Sequence, residues 1–242
     1  MKQLEIPAIT NPGISFTENT FAIMQGLHDC FKDTTQSRIL FKTFQETYKQ
    51  IDPTGDAKIR MLFPLCRKAG CIFPDEEGCV IFENGTFLTP LGTAFFKASK
   101  LYYQVGNITK SSSSPNSPTI KSLLEKARHL YASISACLFE NLCESEQVYQ
   151  HLLWFVRKYG PVSRDEVKIL LYSLEKNSEE RGKVIVCKRD ESEIDSLVNE
   201  YRRGQLIPHS DKANNAAGYF IAVLKTLFII AENDDHSFVV AT

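Results

Sequence analysis

Three cysteines, at positions 66, 71 and 79, lie close enough in sequence to suggest a metal site. Thiolates bind zinc well, but structural zinc sites usually have four ligands, grouped in pairs two to four residues apart. Here four and seven residues separate the cysteines, and no histidine is near enough in sequence to complete a set. We therefore expect no metal and no cofactor, and we expect these thiols to pack as small apolar side chains.

Sequence patterns for catalysis are also missing. The chain contains no Gly-x-Ser-x-Gly elbow, no phosphate-binding loop ending in Gly-Lys-Ser/Thr, no dinucleotide-binding glycine pattern and no His-Glu-x-x-His. A nuclease that holds magnesium with a strand-borne Glu-x-Lys would need a strand at Glu166-Val167-Lys168, but this stretch falls on a predicted amphipathic helix. We expect no catalysis by this chain.

Basic and amide side chains near the start of two predicted helices are a stronger signal. Each of these helices precedes a predicted β-hairpin, and in helix-turn-helix modules the second helix enters the major groove of DNA by its N-terminal residues. Arginine and lysine can read guanine, asparagine can pair with adenine, and further arginines can contact phosphates. The candidate DNA-binding residues are Lys58, Arg60, Arg164, Arg202, Arg203, Lys212, Asn214 and Asn215. The alternative for each residue is a solvated charge or a helix N-cap.

Both predicted hairpin tips are acidic, with Asp75, Glu76 and Glu77 in the first and Asp234 and Asp235 in the second. DNA phosphates repel carboxylates. These hairpins are therefore expected to point away from DNA or to face a protein.

Composition limits the classes of protein further. The 242 residues are 43% hydrophobic with a formal net charge of −1, which favours a folded chain and excludes a globally basic nucleic-acid binder. The first residues lack an apolar stretch of signal-peptide length, and the apolar run near residue 225 is interrupted by Lys225 and too short to span a bilayer. We expect a cytoplasmic protein with no membrane partner.

Apolar spacing in the first half predicts helices over residues 15–31, 35–51 and 56–70. The second helix would carry Leu40, Phe44, Tyr48 and Ile51 on one face. Gly70 would end the third helix, Asn84-Gly85 would form a tight hairpin turn, and Thr89-Pro90 would start a closing helix.

The second half follows a Ser-rich stretch at 110–118 and opens with a long helix over 119–142. Helices over 145–160 and 161–177 come next, the latter with a capping box of Ser163 and Glu166. A charged helix over 191–204 leads to a loop over 205–215, a final helix and a hairpin. The helix-then-hairpin pattern occurs in both halves when Lys68 is aligned with Lys225, which sets Val223 and Phe228 opposite Cys66 and Cys71.

Residues 60–73 and 87–96 resemble the end of a winged-helix domain, and residues 152–167 resemble the opening helices of one. Two such domains in tandem, with an early "NPG" at 11–13, are similar to the DNA-recognition region of some type II restriction endonucleases. The resemblance implies sequence-specific binding to double-stranded DNA by Lys58, Arg60, Lys212, Asn214 and Asn215. It also implies that a nuclease domain or subunit lies elsewhere.

We therefore predict a mainly α protein with small β-hairpins, of the α+β class. Two tandem winged-helix-like domains, at 1–106 and 144–242, would be joined by a Ser-rich linker and connecting helix at 107–143. A plasmid replication initiator or transcription regulator is a second DNA-binding interpretation. A protein-interaction adaptor that uses the acidic wings and the helix over 119–142 is a third, and it predicts no duplex binding.

Overall fold

A computed structural model describes residues 2–5, 12–53, 55–74, 78–111, 117–177, 184–209 and 211–241. These residues form nine helices and eight short strands, so the prediction of a mainly helical chain with small β-hairpins is confirmed. The chain divides into two compact units. The first unit is Ile14–Asn141, and the second unit is Met1–Gly13 together with Leu142–Thr242. Among the described residues, no helix combines the length and apolar character needed to cross a membrane.

The elements up to residue 145 are β1 (Lys2–Glu5), α1 (Glu18–Phe31), β2 (Arg38–Leu40), α2 (Phe41–Lys49), α3 (Gly55–Lys68), β3 (Cys79–Ile81), α4 (Pro90–Ser111) and α5 (Pro118–Ser145). The later elements are α6 (Val148–Tyr159), α7 (Arg164–Ser173), β4 (Leu174–Asn177), β5 (Val184–Cys187), α8 (Glu191–Arg202), β6 (Leu206–His209), α9 (Asp211–Thr226), β7 (Ile230–Glu232) and β8 (Phe238–Val240).

Aromatic side chains from several elements fill the core of the first unit. The ring of Phe44 on α2 lies 4.5 Å from that of Phe31 on α1 and 5.0 Å from that of Phe63 on α3. Phe87, which precedes α4, contacts Phe44 edge-on at 5.5 Å. Because Phe44 and Phe63 are almost fully buried, these contacts fix α3 against α1 and α2.

The predicted second helix is partly wrong. It begins only at Phe41, because residues 38–40 form β2, which pairs antiparallel with β3 through Ile39 and Val80. Leu40 is therefore 60% exposed rather than on the apolar face. Ile51 lies beyond the helix end and is 62% exposed. A strand partner forty residues away has overridden the helical spacing.

The predicted turn and helix start after this strand are confirmed. Asn84 and Gly85 both have positive φ, of 51° and 77°, as the tight hairpin turn requires. Thr89 caps α4, since its hydroxyl accepts the amide of Gly92 at 2.9 Å and donates to the carbonyl of Gly70 at 2.5 Å. A Cβ at Gly92 would lie 1.8 Å from the carbonyl oxygen of Cys71, so the Thr-Pro-x-Gly pattern allows α4 to approach the end of α3 closely.

In the second unit, the capping box of α7 is confirmed. Ser163 Oγ accepts the amide of Glu166 at 3.2 Å, and the Glu166 carboxylate accepts the amide of Ser163 at 2.7 Å. However, α7 ends at Ser173 instead of continuing to 177, because residues 174–177 form β4 and pair antiparallel with β5.

The predicted loop over 205–215 is also wrong. Its first half is β6, which pairs in parallel with β1 from Lys2↔Leu206 to Glu5↔His209. The side chains of Leu4 and Leu206 are both buried. Since α9 begins at Asp211, the loop between β6 and α9 is short.

The helix-then-hairpin pattern is present in both units, in a register one residue from the predicted one. The amide of Thr89 donates to the carbonyl of Cys71 at 3.0 Å, and the amide of Ala241 donates to that of Ile229 at the same distance. Ile229, rather than Phe228, is thus the counterpart of Cys71. In the first unit, Ile72 after the helix end forms an isolated bridge with Leu88, and in the second unit β7 pairs antiparallel with β8.

Candidate nucleic-acid interface

Helix α3 has a buried apolar side and an exposed side that includes Arg60. Its buried residues are Ile59, Leu62, Phe63, Leu65 and Cys66. Lys58 is half-buried, whereas Arg60, Met61 and Pro64 are exposed. Of the two predicted binding residues on this helix, Arg60 is thus the better placed to reach a ligand in solution.

The charge around α3 is locally basic. Between Arg38 and Lys68 the sequence has seven basic and three acidic residues, a net charge of +4 in a chain whose total is −1. The sequence of α3 itself contains one acidic residue, Asp56, and four basic residues: Lys58, Arg60, Arg67 and Lys68. A polyanion would therefore find a favourable potential at this helix.

Helix α9 is the corresponding helix of the second unit. Asn215 and Tyr219, one turn apart, are exposed, while Ala216, Ala217 and Phe220 are buried. The side chains of Lys212 and Asn214 lie outside the described part of the chain, although both positions belong to α9. Asn215 is thus the predicted base-reading residue whose exposure can be stated.

Arg164 is the first residue of α7 and is exposed. Its guanidinium nevertheless lies against the backbone of α9, since a Cβ at Gly218 would be 2.6 Å from Arg164 Nη2. The structure therefore brings Arg164 onto the helix that also carries Asn215.

Arg202 is hydrogen-bonded within the second unit, whereas the adjacent Arg203 has an exposed side chain. Its Nε donates to Glu166 Oε1 at 2.6 Å, and its Nη2 donates to the backbone carbonyl of Tyr159 at 2.7 Å. Because the Glu166 side chain is only 6% exposed, Arg202 compensates a buried carboxylate and ties the end of α8 to the turn between α6 and α7. The side chain of Arg203 is exposed.

The hairpin of the second unit uses much of its acidic charge internally. Asp235 Oδ1 accepts the amide of Ser237 at 3.0 Å and its hydroxyl at 2.6 Å, which lowers the pKa of Asp235. Glu232 pairs with Lys225 and, at 2.8 Å, with His236, and these hydrogen bonds lower its pKa. The predicted tip residues Asp75, Glu76 and Glu77 lie outside the described residues.

Two of the three cysteines predicted to pack as small apolar side chains are buried at the end of α3. Cys66 and Cys71 are 2% and 3% exposed, and Cys79 is half-buried. The pKa of Cys71 is raised well above its ordinary value by its hydrogen bond with Cys66 and by burial, which disfavours the nucleophilic thiolate. In the described part of the chain, no three histidine, cysteine, aspartate or glutamate side chains come together as metal ligands.

On α9, sequence reasoning missed two residues that lie near Asn215: Gly218 and Tyr219. Tyr219 could have been found from its position one turn after Asn215 on the polar side of the helix. A glycine in the interior of a helix is destabilising, and it often marks a close approach by another group. Its neighbour Arg164, however, is separated from it by more than fifty residues.

Comparison of the chain with protein-family models, with curated proteins and with solved structures finds no match.

Proposed function

We propose that the chain binds double-stranded DNA sequence-specifically through α3 and α9, as the recognition part of a restriction endonuclease whose catalytic centre lies elsewhere. The observation that carries this proposal is the set of basic side chains on α3, the helix that precedes the hairpin of the first unit. Arg60 is exposed, and Lys58, Arg67 and Lys68 are half-buried. Counterion release from phosphates makes such a cluster of cations a source of DNA affinity.

The order of elements in the two units supports a winged-helix interpretation of each. In the first unit, α1, β2, α2 and α3 precede the hairpin, and β2 pairs with a strand inside it. In the second unit, α6 and α7 follow β1, and β4, β5, α8 and β6 separate them from α9, β7 and β8. Val162, between α6 and α7, forms an isolated bridge with Phe238 of β8. In helix-turn-helix modules, the helix at the place of α3 and α9 lies in the major groove.

The two helices differ in what they offer to DNA. Arg60 and its basic neighbours on α3 suit phosphates and guanine edges, whereas Asn215 on α9 suits an adenine edge. Tyr219 adds a hydroxyl that can donate to a phosphate. Wing carboxylates such as Asp235 hold their own hairpin, so docking by the helices does not require the wings to lie on phosphates.

Selection from a random duplex library, followed by titration of the enriched site at several salt concentrations, tests the proposal. A reproducible site with a steep salt dependence supports specific recognition, since the slope reports the number of phosphate contacts. Replacing Arg60 or Asn215 by alanine should weaken binding to that site by about 1–3 kcal/mol if the residue reads a base. An equal loss on random DNA would identify a backbone contact instead.

Lys126→Ala on α5 is the matched control for Arg60→Ala, because it removes one exposed positive charge from the same unit outside α3. Its effect should be several-fold smaller. If no duplex binds near about 50 mM salt, DNA recognition is refuted and the adaptor hypothesis gains. Specific binding to repeated operator or origin sequences, with no cleaving partner, would favour the initiator or regulator instead.

A further inference from the structure

Gly218 lies in the interior of α9, where glycine is unfavourable because it loses more conformational freedom than alanine on folding. A Cβ at this position would lie 2.6 Å from Nη2, 3.2 Å from Cζ and 3.6 Å from Nε of Arg164. All three atoms belong to the guanidinium group, so this group occupies the space that a side chain at position 218 would need. By contrast, a Cβ at Gly106 in α4 would have no neighbour within 4 Å.

The position of Gly218 on α9 places the Arg164 guanidinium beside Asn215. In a helix, positions three and four residues apart are neighbours on the surface, so Gly218 has Asn215 on one side and Ala222 on the other. Asn215 is exposed and Ala222 is half-buried. Arg164 of α7 thus adds a positive charge next to Asn215, at a half-buried position of α9.

Resting on the proposed function, we propose that Gly218 is a positioning residue that holds the Arg164 guanidinium on α9, where it binds a DNA phosphate next to the base read by Asn215. An arginine is long and has many rotamers, so a free one would lose much entropy on binding. A guanidinium that already lies on the helix loses less conformational entropy. It therefore favours contact with one phosphate at a fixed position relative to Asn215.

A double-mutant cycle on the intact chain tests this proposal. Arg164→Ala should weaken binding to the selected duplex by about tenfold and lower the salt slope by about one, as expected for one lost phosphate contact. Gly218→Ala should weaken binding by a similar factor because its methyl group displaces the guanidinium. The double variant should bind no worse than Arg164→Ala alone, since the contact is already lost.

Thermal unfolding separates binding from folding. In the Arg164→Ala background, Gly218→Ala should raise the melting temperature, as alanine does in an open helix interior, while in the wild-type background the clash should reduce or reverse this gain. Gly106→Ala, the same substitution at an open position, should leave DNA affinity unchanged.

Additive effects on affinity, or a loss of affinity with an unchanged salt slope, would overturn the proposed phosphate contact. Additive effects on the melting temperature would refute the close contact between Gly218 and the Arg164 guanidinium. If the wild-type chain binds no duplex, the proposed function fails and the DNA contact fails with it. The non-additive melting temperatures would then still show whether Gly218 positions Arg164.

Discussion

Replacing Arg202 by alanine should destabilise the second unit by about 2–3 kcal/mol, although the residue was predicted from sequence to contact DNA. The guanidinium donates to the buried carboxylate of Glu166 at 2.6 Å and to the carbonyl of Tyr159 at 2.7 Å. Alanine would remove both hydrogen bonds and leave the carboxylate with the amide of Ser163 as a remaining donor.

The magnitude follows from the burial of the two partners. Removing one member of a fully buried ion pair costs about 3–5 kcal/mol. Glu166 is buried, but the side chain of Arg202 is 45% exposed, so water can reach part of the site and reduce the cost. For a unit of about 110 residues, a loss of about 2–3 kcal/mol lowers the melting temperature by roughly 8–15 °C.

Trp154 provides the assay, because it is the only tryptophan in the sequence and lies on α6 of the second unit. Its fluorescence during thermal or urea unfolding should report the stability of this unit. The control is Arg203→Ala, which removes the same charge one position later from an exposed site. Its expected effect is within about 0.5 kcal/mol.

Equal shifts for Arg202→Ala and Arg203→Ala would refute the assignment of Arg202 to folding. A second test uses Glu166→Gln in the Arg202→Ala background. If the loss comes from an uncompensated carboxylate, the neutral amide should restore about 1 kcal/mol. No recovery would mean that the contact of Arg202 with the Tyr159 carbonyl, rather than with Glu166, accounts for the loss.

Two further predictions concern a close helix approach and a surface ion pair. Gly92→Ala should destabilise the first unit by more than about 3 kcal/mol because its Cβ would overlap the Cys71 carbonyl. Gly106→Ala on the same helix should instead stabilise the unit by about 0.5–1 kcal/mol. Urea unfolding followed by circular dichroism measures both changes, and equal effects would contradict the close approach of α4 to Cys71. Hydrogen bonds from Lys158 and Tyr159 lower the pKa of Asp195 below its usual 3.8, so its stabilising contribution is complete above that pH and is lost as the pH falls through the lower value of the folded state. Asp195→Asn should therefore make the melting temperature less dependent on pH below about pH 4, and an unchanged acid slope would contradict the assignment.

Local signals in the sequence were sufficient for the capped helix starts at Ser163 and Thr89 and for the tight turn at Asn84-Gly85. The Ser163 and Glu166 capping box, the Asn84-Gly85 turn and the Thr89 cap act within three or four residues, so the sequence pattern contains the complete interaction. The same is true of Gly70, whose positive φ ends α3.

Strand pairings over long sequence distances were missed. Nothing near Arg38 shows that residues 38–40 will pair with β3, and nothing near Leu206 shows that β6 will pair with β1. The Lys- and Glu-containing segment at 174–177 has helical character, yet it pairs with β5 as a strand. Pairing partners, rather than local preference, decide the conformation of such short segments.

The candidate site also has features that local sequence predicts and features that depend on contacts distant in sequence. Exposure of Arg60 and Asn215 follows from helical periodicity, which the sequence carries. The assignment of Arg202 to Glu166 and of Arg164 to Gly218 depends on packing between helices that are more than thirty residues apart in sequence. The sequence shows that these residues are charged, but only the three-dimensional structure shows which residues they contact.

The parallel pairing of β1 with β6 gives the chain an unusual order of assembly. Leu4 is synthesised about two hundred residues before its partner strand, and the whole first unit comes between them. The first unit is therefore a contiguous insertion that can fold during synthesis, whereas the second unit must wait until its two segments are both available. Such long-range closure slows folding, and it makes β1 an integral part of the second unit.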